Sequence, residues 1–372
     1  MQLSLYFLLA LLAEASAAKD VPTFQINLDL KPRKRWQHVA EFYRPWYRDN
    51  FKKLDLHLEV NPWKAEEVDE MTENVTEEIK EEVQGIVEAL NHSHATLHSF
   101  MRQQMLYELG LTEGFDCSGI VATKGDGSII HGRNLDLGEK FKWGDDITFY
   151  AEYMRSGKLV AKSINFFGGV GVHTGIHLGS DGRHWTFEQN TRLELNENFG
   201  HDVSGSKWVH NTLVAKRNGG KMFALEGRRL LLEKETFTDA LDAFSTTTWM
   251  TPQYFILASS EKYHGAVLTV GRAQPEAKKS FYDIMALSAA GGKWFLVQTN
   301  DDHFGLKLDS RRDAAIDGMK KQKKEHHDVA DSDVMTVLRT PPVCNGATLF
   351  SWVVTPSTDA EKLQRGACLK ED

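Results

Sequence analysis

The residue types best suited to chemistry in this chain converge on one cysteine. Cys117 is one of three cysteines, the others being Cys344 and Cys368. An odd count leaves at least one thiol unpaired; a Cys344–Cys368 bridge tying the C-terminal tail to the body is one pairing, and it leaves Cys117 free. A free thiol in an oxidising compartment is a liability unless it is buried or chemically used. A cut of the Asp116–Cys117 bond would give Cys117 a free α-amine. Such an amine titrates at about 7.7–8.0 and a thiol at about 8.5, so the nucleophile would carry its own base and need no separate histidine. Downstream, His131-Gly132-Arg133-Asn134-Leu135-Asp136 sets polar groups just after a second strand. Arg133 could hold the thiolate or an acyl carbonyl, and Asp136 the free amine. A salt-bridged surface turn is the competing reading of that segment.

Cys117 stands where the texture of the chain changes. Residues 18–116 carry helical patterns and almost no strand signal: Val68, Met71, Val75, Ile79, Val83 and Ile86 recur at three- and four-residue spacing within Glu66–Leu90, and Leu97–Leu109 repeats the pattern. From Cys117 onward, Ser118–Ala122 reads as a strand, Gly125-Asp126-Gly127 as a turn and Ser128–His131 as the returning strand. Further strands are expected at Ile147–Tyr153, Leu159–Asn165, Val170–Leu178, His184–Phe187, Tyr254–Leu257, Ala266–Val270, Phe281–Leu287, Trp294–Thr299 and Ala347–Val354. Helices are expected around Asn211–Val214, Leu225–Leu232, Phe237–Phe244, Asp313–Met319 and Asp333–Val337. Strands and helices come in groups, which suits two antiparallel sheets covered by helices (α+β) better than βαβ alternation.

Composition narrows the class. The chain has 372 residues, 41% hydrophobic and 26% charged, with a formal charge of -8. It is long enough to bury a large core, and its charge gives no reason to expect nucleic acid as a partner. The basic runs at Lys31–Lys34 and Lys320–Lys324 read as solvated faces. Leu3–Ala13 is an apolar run followed by Ala15-Ser16-Ala17, so residues 1–17 are expected to be a signal peptide. The sequons Asn74-Val75-Thr76 and Asn91-His92-Ser93 agree with export as a glycoprotein. His173 and His177 share a predicted strand face, and Asp302-His303 and His326-His327 form further pairs. No H-E-x-x-H accompanies them, so neither a metal nor a cofactor is expected.

Two segments together carry a specific resemblance. Cys117-Ser118-Gly119-Ile120-Val121-Ala122 followed by His131-Gly132-Arg133-Asn134-Leu135-Asp136 is similar to the acid ceramidase and N-acylethanolamine acid amidase family of N-terminal-nucleophile hydrolases. Phe166–Gly171, Thr174-Gly175, Asn190, Arg192, Val297-Gln298-Thr299-Asn300 and Arg311-Arg312 continue it in order. Val21–Leu30 and Arg35-Trp36 resemble acid ceramidase more than the acylethanolamine enzyme. The resemblance implies an αββα fold of two stacked antiparallel sheets between helical layers. It implies a helical alpha subunit at 18–116 and a catalytic beta subunit at 117–372 that remain an alpha/beta heterodimer after autocleavage. Cys117 would be nucleophile and, through its amine, base. Arg133 and Asp136 would flank it, Asn300 would supply an oxyanion donor, and Arg311 would stand at the edge of the site. The chain departs from the family pattern at Asp116, at Thr191 where relatives carry glutamate, and at Gly169 and Asp301 where they carry tyrosine.

The implied activity is lysosomal or secreted hydrolysis of an N-acyl lipid amide, ceramide first, with transient contact to a lipid surface or lipid-presenting protein. N-acylethanolamine hydrolysis is the alternative within that chemistry. An inactive secreted lipid-binding protein that kept the fold is the alternative outside it.

Overall fold

The computed structural model describes residues 21–56, 62–73, 75–105, 108, 117–192, 205–273, 282–288, 292–304 and 309–368. The expected signal peptide, Asp116 and the sequon residue Asn74 lie outside the described residues; Asn91 is described and exposed. The front segment begins with β1 (Thr23–Asn27) and continues through α1 (Pro32–Arg35), α2 (Gln37–Leu56), α3 (Pro62–Glu73), α4 (Glu77–Leu90) and α5 (Leu97–Gln103). The body opens with β2 (Ser118–Thr123), β3 (Ile129–Asp136), a 3-10 stretch at Glu139–Ile147, β4 (Thr148–Arg155), β5 (Lys158–Phe166), β6 (Thr174–Leu178) and β7 (His184–Thr191). Three helices follow, α6 (Gly205–Arg217), α7 (Phe223–Glu233) and α8 (Phe237–Thr246). After them come β8 (Gln253–Ser259), β9 (Gly265–Val270), β10 (Tyr282–Ala286) and β11 (Phe295–Gln298). The chain ends in α9 (Ser310–His326), α10 (Asp331–Leu338), β12 (Thr348–Thr355) and β13 (Ala360–Arg365).

Two sheets result. One has eight strands in the order β1-β4-β5-β6-β7-β8-β9-β10, the other five in the order β11-β2-β3-β12-β13. They stack face to face through β2, β3 and β11 against β7, β8 and β9. Helices α7 and α8 cover the outer face of the larger sheet, and α9 and α10 that of the smaller. This is the αββα layering expected above. Alternation along β2 shows how it is built: Ile120 and Ala122 join the core under α9 and α10, while Val121 joins the core between the sheets. Because both faces of β2, β3, β7, β8, β9 and β12 are covered, every residue in those strands except His184 at the start of β7 is buried, polar ones included.

The front segment differs from its sequence reading in two ways. Thr23–Asn27 is a strand, the edge strand of the larger sheet, paired parallel to β4. Its signal is weak because it is short and only Ile26 is fully buried. The periodic stretch Glu66–Leu90 is two helices facing different cores. Val68 and Met71 of α3 pack with Val209 and Leu213 of α6, whereas Val83 and Ile86 of α4 enter the main core. Helix α4 starts on Thr76, whose side chain accepts from the Ile79 N–H, carries Glu77 and Glu78 in its first turn, and stops at Asn91 in a left-handed conformation.

The front segment is bound tightly to the body. Glu82 of α4 is fully buried and accepts hydrogen bonds from Arg35 at 2.8 Å, Trp36 Nε1 at 3.0 Å and Arg228 of α7 at 2.8 Å. Gln104 donates to the Gly168 carbonyl at 2.7 Å and accepts from the Val170 N–H at 2.9 Å. Cys344 and Cys368 form a disulfide, which leaves Cys117 as the free cysteine.

Candidate active site

Cys117 sits one residue before β2, a central strand of the smaller sheet, and its side chain is buried. Antiparallel pairing sets Gly119 opposite Arg133 and Ser118 opposite Asn134, so the cysteine meets the end of β3. Arg133 and Asp136 lie inside β3 rather than in a turn after it, and both are fully buried. The surface-turn reading of this segment is therefore overturned: β3 runs on to Asp136 because β2 and β12 pair with it on both sides.

Three residues apart on a strand, Arg133 and Asp136 point to opposite faces. Arg133 points between the sheets. Its guanidinium donates to the carbonyls of His173 at 2.7 Å and Gln189 at 2.9 Å, to Thr174 Oγ1, and to Cys117 Sγ at 3.7 Å. Asp136 accepts from Arg311 of α9 at 3.4 Å and from Asn345 Nδ2 at 3.2 Å, while its backbone N–H donates to the Cys117 sulfur. Burial pushes the Cys117 thiol above its ordinary value; the Arg133 charge opposes that push and the Asp136 carboxylate adds to it.

Arg311 joins the remaining groups. It reaches the Cys117 carbonyl at 3.5 Å, Asn300 Oδ1 at 3.1 Å and the carboxylate of Asp309, the residue that caps α9. Burial works against charge on Asp309, but its bonds from Arg311 hold the carboxyl below the usual range. Asn300 is buried, and its side-chain amide donates to the Thr191 carbonyl at 2.7 Å. A primary amide has two N–H donors, so this bond leaves the second available in principle to an oxyanion. The five residues expected at the site thus come together: Arg133 grips the sulfur from one side, and Asp136, Arg311 and Asn300 gather on the other.

Several neighbours escaped the sequence reading. Asn345 and Asp309 support Asp136 and Arg311. Glu188 of β7 is fully buried, 3.9 Å from Arg133 Nε and 3.8 Å from His131 Nε2. Burial lifts its carboxyl well above the usual range against the pull of Arg133. His131 and His173 are pushed down to about 3, by burial first and by Arg133 second. His177 instead faces α7, contacting the Leu231 carbonyl at 2.8 Å. The paired histidines therefore do not converge, and no group of three or more metal-binding side chains occurs among the described residues.

An apolar cavity adjoins the cluster. Leu54 of α2, Phe141, Trp143, Ile147 and Phe167 line it, along with Leu137, which follows Asp136. His173, whose carbonyl receives Arg133, forms part of its wall, as does Gly169.

Comparison with known proteins agrees with this arrangement. A family model described as the beta subunit of N-acylethanolamine-hydrolyzing acid amidase matches residues 19–79, within the front segment named the alpha subunit above. The N-acylethanolamine-hydrolyzing acid amidase of Caenorhabditis elegans is 30% identical over 347 residues, 90% of this chain and 88% of that protein. The acid ceramidase of Homo sapiens is 28% identical over 355 residues, 90% of this chain and 83% of that protein. A solved structure of a Caenorhabditis elegans N-acylethanolamine-hydrolyzing acid amidase ortholog matches with a TM-score of 0.54 at 29% identity, covering 65% of this chain and 93% of that one. The two kinds of relative match about equally, which removes the lean toward acid ceramidase drawn from the front of the chain. With that length and level of similarity, the chain belongs to the family of N-acylethanolamine-hydrolyzing acid amidases and acid ceramidases.

Proposed function

We propose that this protein hydrolyses the amide bond of N-acyl lipids with Cys117 as nucleophile, after a self-cut at Asp116–Cys117 makes that residue N-terminal. The observation that carries the reading is the free, buried Cys117 with Arg133 at 3.7 Å from its sulfur and Asp136, Arg311 and Asn300 gathered around it. The freed α-amine takes the thiol proton, and the sulfur attacks the acyl carbonyl carbon. Asn300 donates to the oxyanion, a contribution of several kcal/mol when the donor is preorganised, about 3–4 in comparable sites. The amine returns its proton to the leaving nitrogen and the C–N bond breaks, leaving a thioester. Water, deprotonated by the same amine, then releases the fatty acid and restores the thiol. Arg133 favours the thiolate, and Arg311 holds Asn300 and Asp136 in register with Cys117.

The apolar cavity beside Leu137 and His173 suits an acyl chain. Its lining draws on both segments, so the front segment has to stay attached after the cut. The β1–β4 ladder and the Glu82–Arg228 pair support an alpha/beta heterodimer. A lysosomal or secreted location belongs to the same reading, and the Cys344–Cys368 disulfide supports an oxidising compartment.

Ceramide is one substrate within this reading, supported by the similarity to acid ceramidases. N-acylethanolamine is the second, favoured by the similarity to the Caenorhabditis elegans amidase in sequence and structure. A competition assay with ceramide and N-acylethanolamines on the mature protein, beside Cys117→Ala, tests the reading. Turnover of at least one substrate, abolished in Cys117→Ala, is the expected result. Turnover unchanged in the variant would rule out Cys117, and no turnover of any N-acyl lipid would favour the lipid-binding alternative.

A further inference from the structure

Glu188 takes no part in the mechanism above, yet it lies beside the group that holds the nucleophile. It projects from β7 into the space between the sheets and is fully buried. A Cβ on Gly119, two residues from Cys117, would come within 1.8 Å of its Oε1. Only glycine lets the carboxyl lie there. Among the described residues neither of its oxygens has a hydrogen-bond partner. The polar groups facing it are His131 Nε2 at 3.8 Å and Arg133 Nε at 3.9 Å.

We infer that Glu188 is a positioning residue that decides whether the charge of Arg133 is neutralised locally or left for Cys117. The guanidinium touches two acids at its two ends: Nε faces the Glu188 carboxyl, and Nη2 faces the Cys117 sulfur at 3.7 Å. One cation between two acids makes their protons a shared property. With Glu188 neutral, the thiolate is the anion that balances Arg133. With Glu188 ionised, Arg133 is already balanced, and the thiol keeps its proton.

The surrounding groups leave this pair to itself. From β3, His131 is neutral at working pH, its Nδ1 in contact with Thr186 Oγ1 at 2.7 Å. The connection into β6 brings His173, also neutral, and β6 itself sets Thr174 opposite Glu188. From β8 come Ile256, opposite Glu188, and Tyr254, whose hydroxyl donates to Asp302 at 2.7 Å. Asp302 is paired with Arg192, and Asp136 with Arg311. From β11 comes Gln298, which does not ionise. The direction is therefore unusual for a thiol enzyme: acid protonates Glu188 and strengthens the hold of Arg133 on the thiolate. An alkaline fall of activity, set by the ionisation of Glu188, is the expected consequence.

The inference rests on Cys117 as the nucleophile, so its test is made first without substrate. Cys117 is the free cysteine, and thiolate absorbance of the full chain against a Cys117→Ala blank reads that group alone. Glu188→Gln keeps the shape and fixes the group neutral. It should lower the apparent thiol pKa by a unit or more, a tenfold change, and move the alkaline limb of kcat/KM upward by a similar amount. A thiol pKa at or above that of the wild type would overturn the inference, even if the protein proved to be an active amidase. Should Glu188→Gln fail to fold, infrared spectra of 13C-glutamate-labelled wild type and Cys117→Ala decide the matter. A protonated glutamate band weaker in Cys117→Ala supports the shared proton, and identical bands at every pH overturn it.

Discussion

Arg133 is the residue whose replacement should cost most for the least change in shape. Arg133→Met keeps much of the side chain's length but removes the cation 3.7 Å from Cys117 Sγ. With an effective dielectric near 20, two unit charges at that separation interact by about 4–5 kcal/mol, equivalent to about three pKa units. The thiolate population at a given acidic pH should therefore drop by about a thousandfold, and kcat/KM with it. The variant should also be less stable, because the carbonyls of His173 and Gln189 lose their donor inside the protein. Each orphaned acceptor costs about 1–3 kcal/mol. Arg133→Lys separates the two effects: it keeps the charge but not the planar fork that serves three acceptors and the sulfur at once. Its thiol pKa should move less than that of Arg133→Met, while its thermal stability falls similarly. Steady-state kinetics on an N-acyl substrate, thiol titration and a melting curve measure the three quantities. An Arg133→Met protein whose thiol pKa lies within one unit of the wild type, and whose kcat/KM lies within tenfold, would refute the reasoning.

Other consequences concern the frame around the site. Glu82→Gln leaves Arg35 and Arg228 buried without their shared carboxylate and should cost about 3–5 kcal/mol in denaturant unfolding. Burial opposes charge on Glu82, but the Arg228 and Arg35 guanidiniums outweigh it and hold the carboxyl below its ordinary range. The advantage of the wild type should thus be complete above the unfolded carboxyl value of about 4.3 and fade as pH falls through the lower folded value. Melting curves of both proteins across that range read the closing gap. The Cys344–Cys368 disulfide closes a loop with a sequence separation of 24. By the chain-entropy relation, replacing both cysteines by serine should remove about 3 kcal/mol and, with an unfolding entropy of about 2.1 cal/mol/K per residue, lower Tm by roughly 4 °C.

The sequence disclosed the layering better than the limits of its strands. Strands were expected to end where polar residues began: His184–Phe187 for β7 and Ser128–His131 for β3. In both cases the strand continues through the polar residues, to Thr191 and to Asp136. A strand covered by a second sheet on one face and helices on the other can bury Glu188, Asn190, Arg133 and Asp136 when they pair with one another or with main chain. Alternation alone gives no warning of that. Cys117, Arg133 and Asp136 were legible because they lie close along the chain. Asn300 and Arg311 entered only through the family resemblance, since the contact of Arg311 with Cys117 and with Asn300 depends on how β11 and α9 pack beside β2. Glu188 was missed because its partners, Gly119, His131 and Arg133, belong to a different sheet.

The central claim is that Cys117 becomes the first residue of the catalytic subunit and acts there. Intact mass and N-terminal sequencing of an active preparation matured at acidic pH test it most directly, with Cys117→Ala alongside. The expected result is two fragments held together, the larger beginning at Cys117, and a Cys117→Ala chain that is uncut and inactive. A full-length, uncut chain with full activity would contradict it.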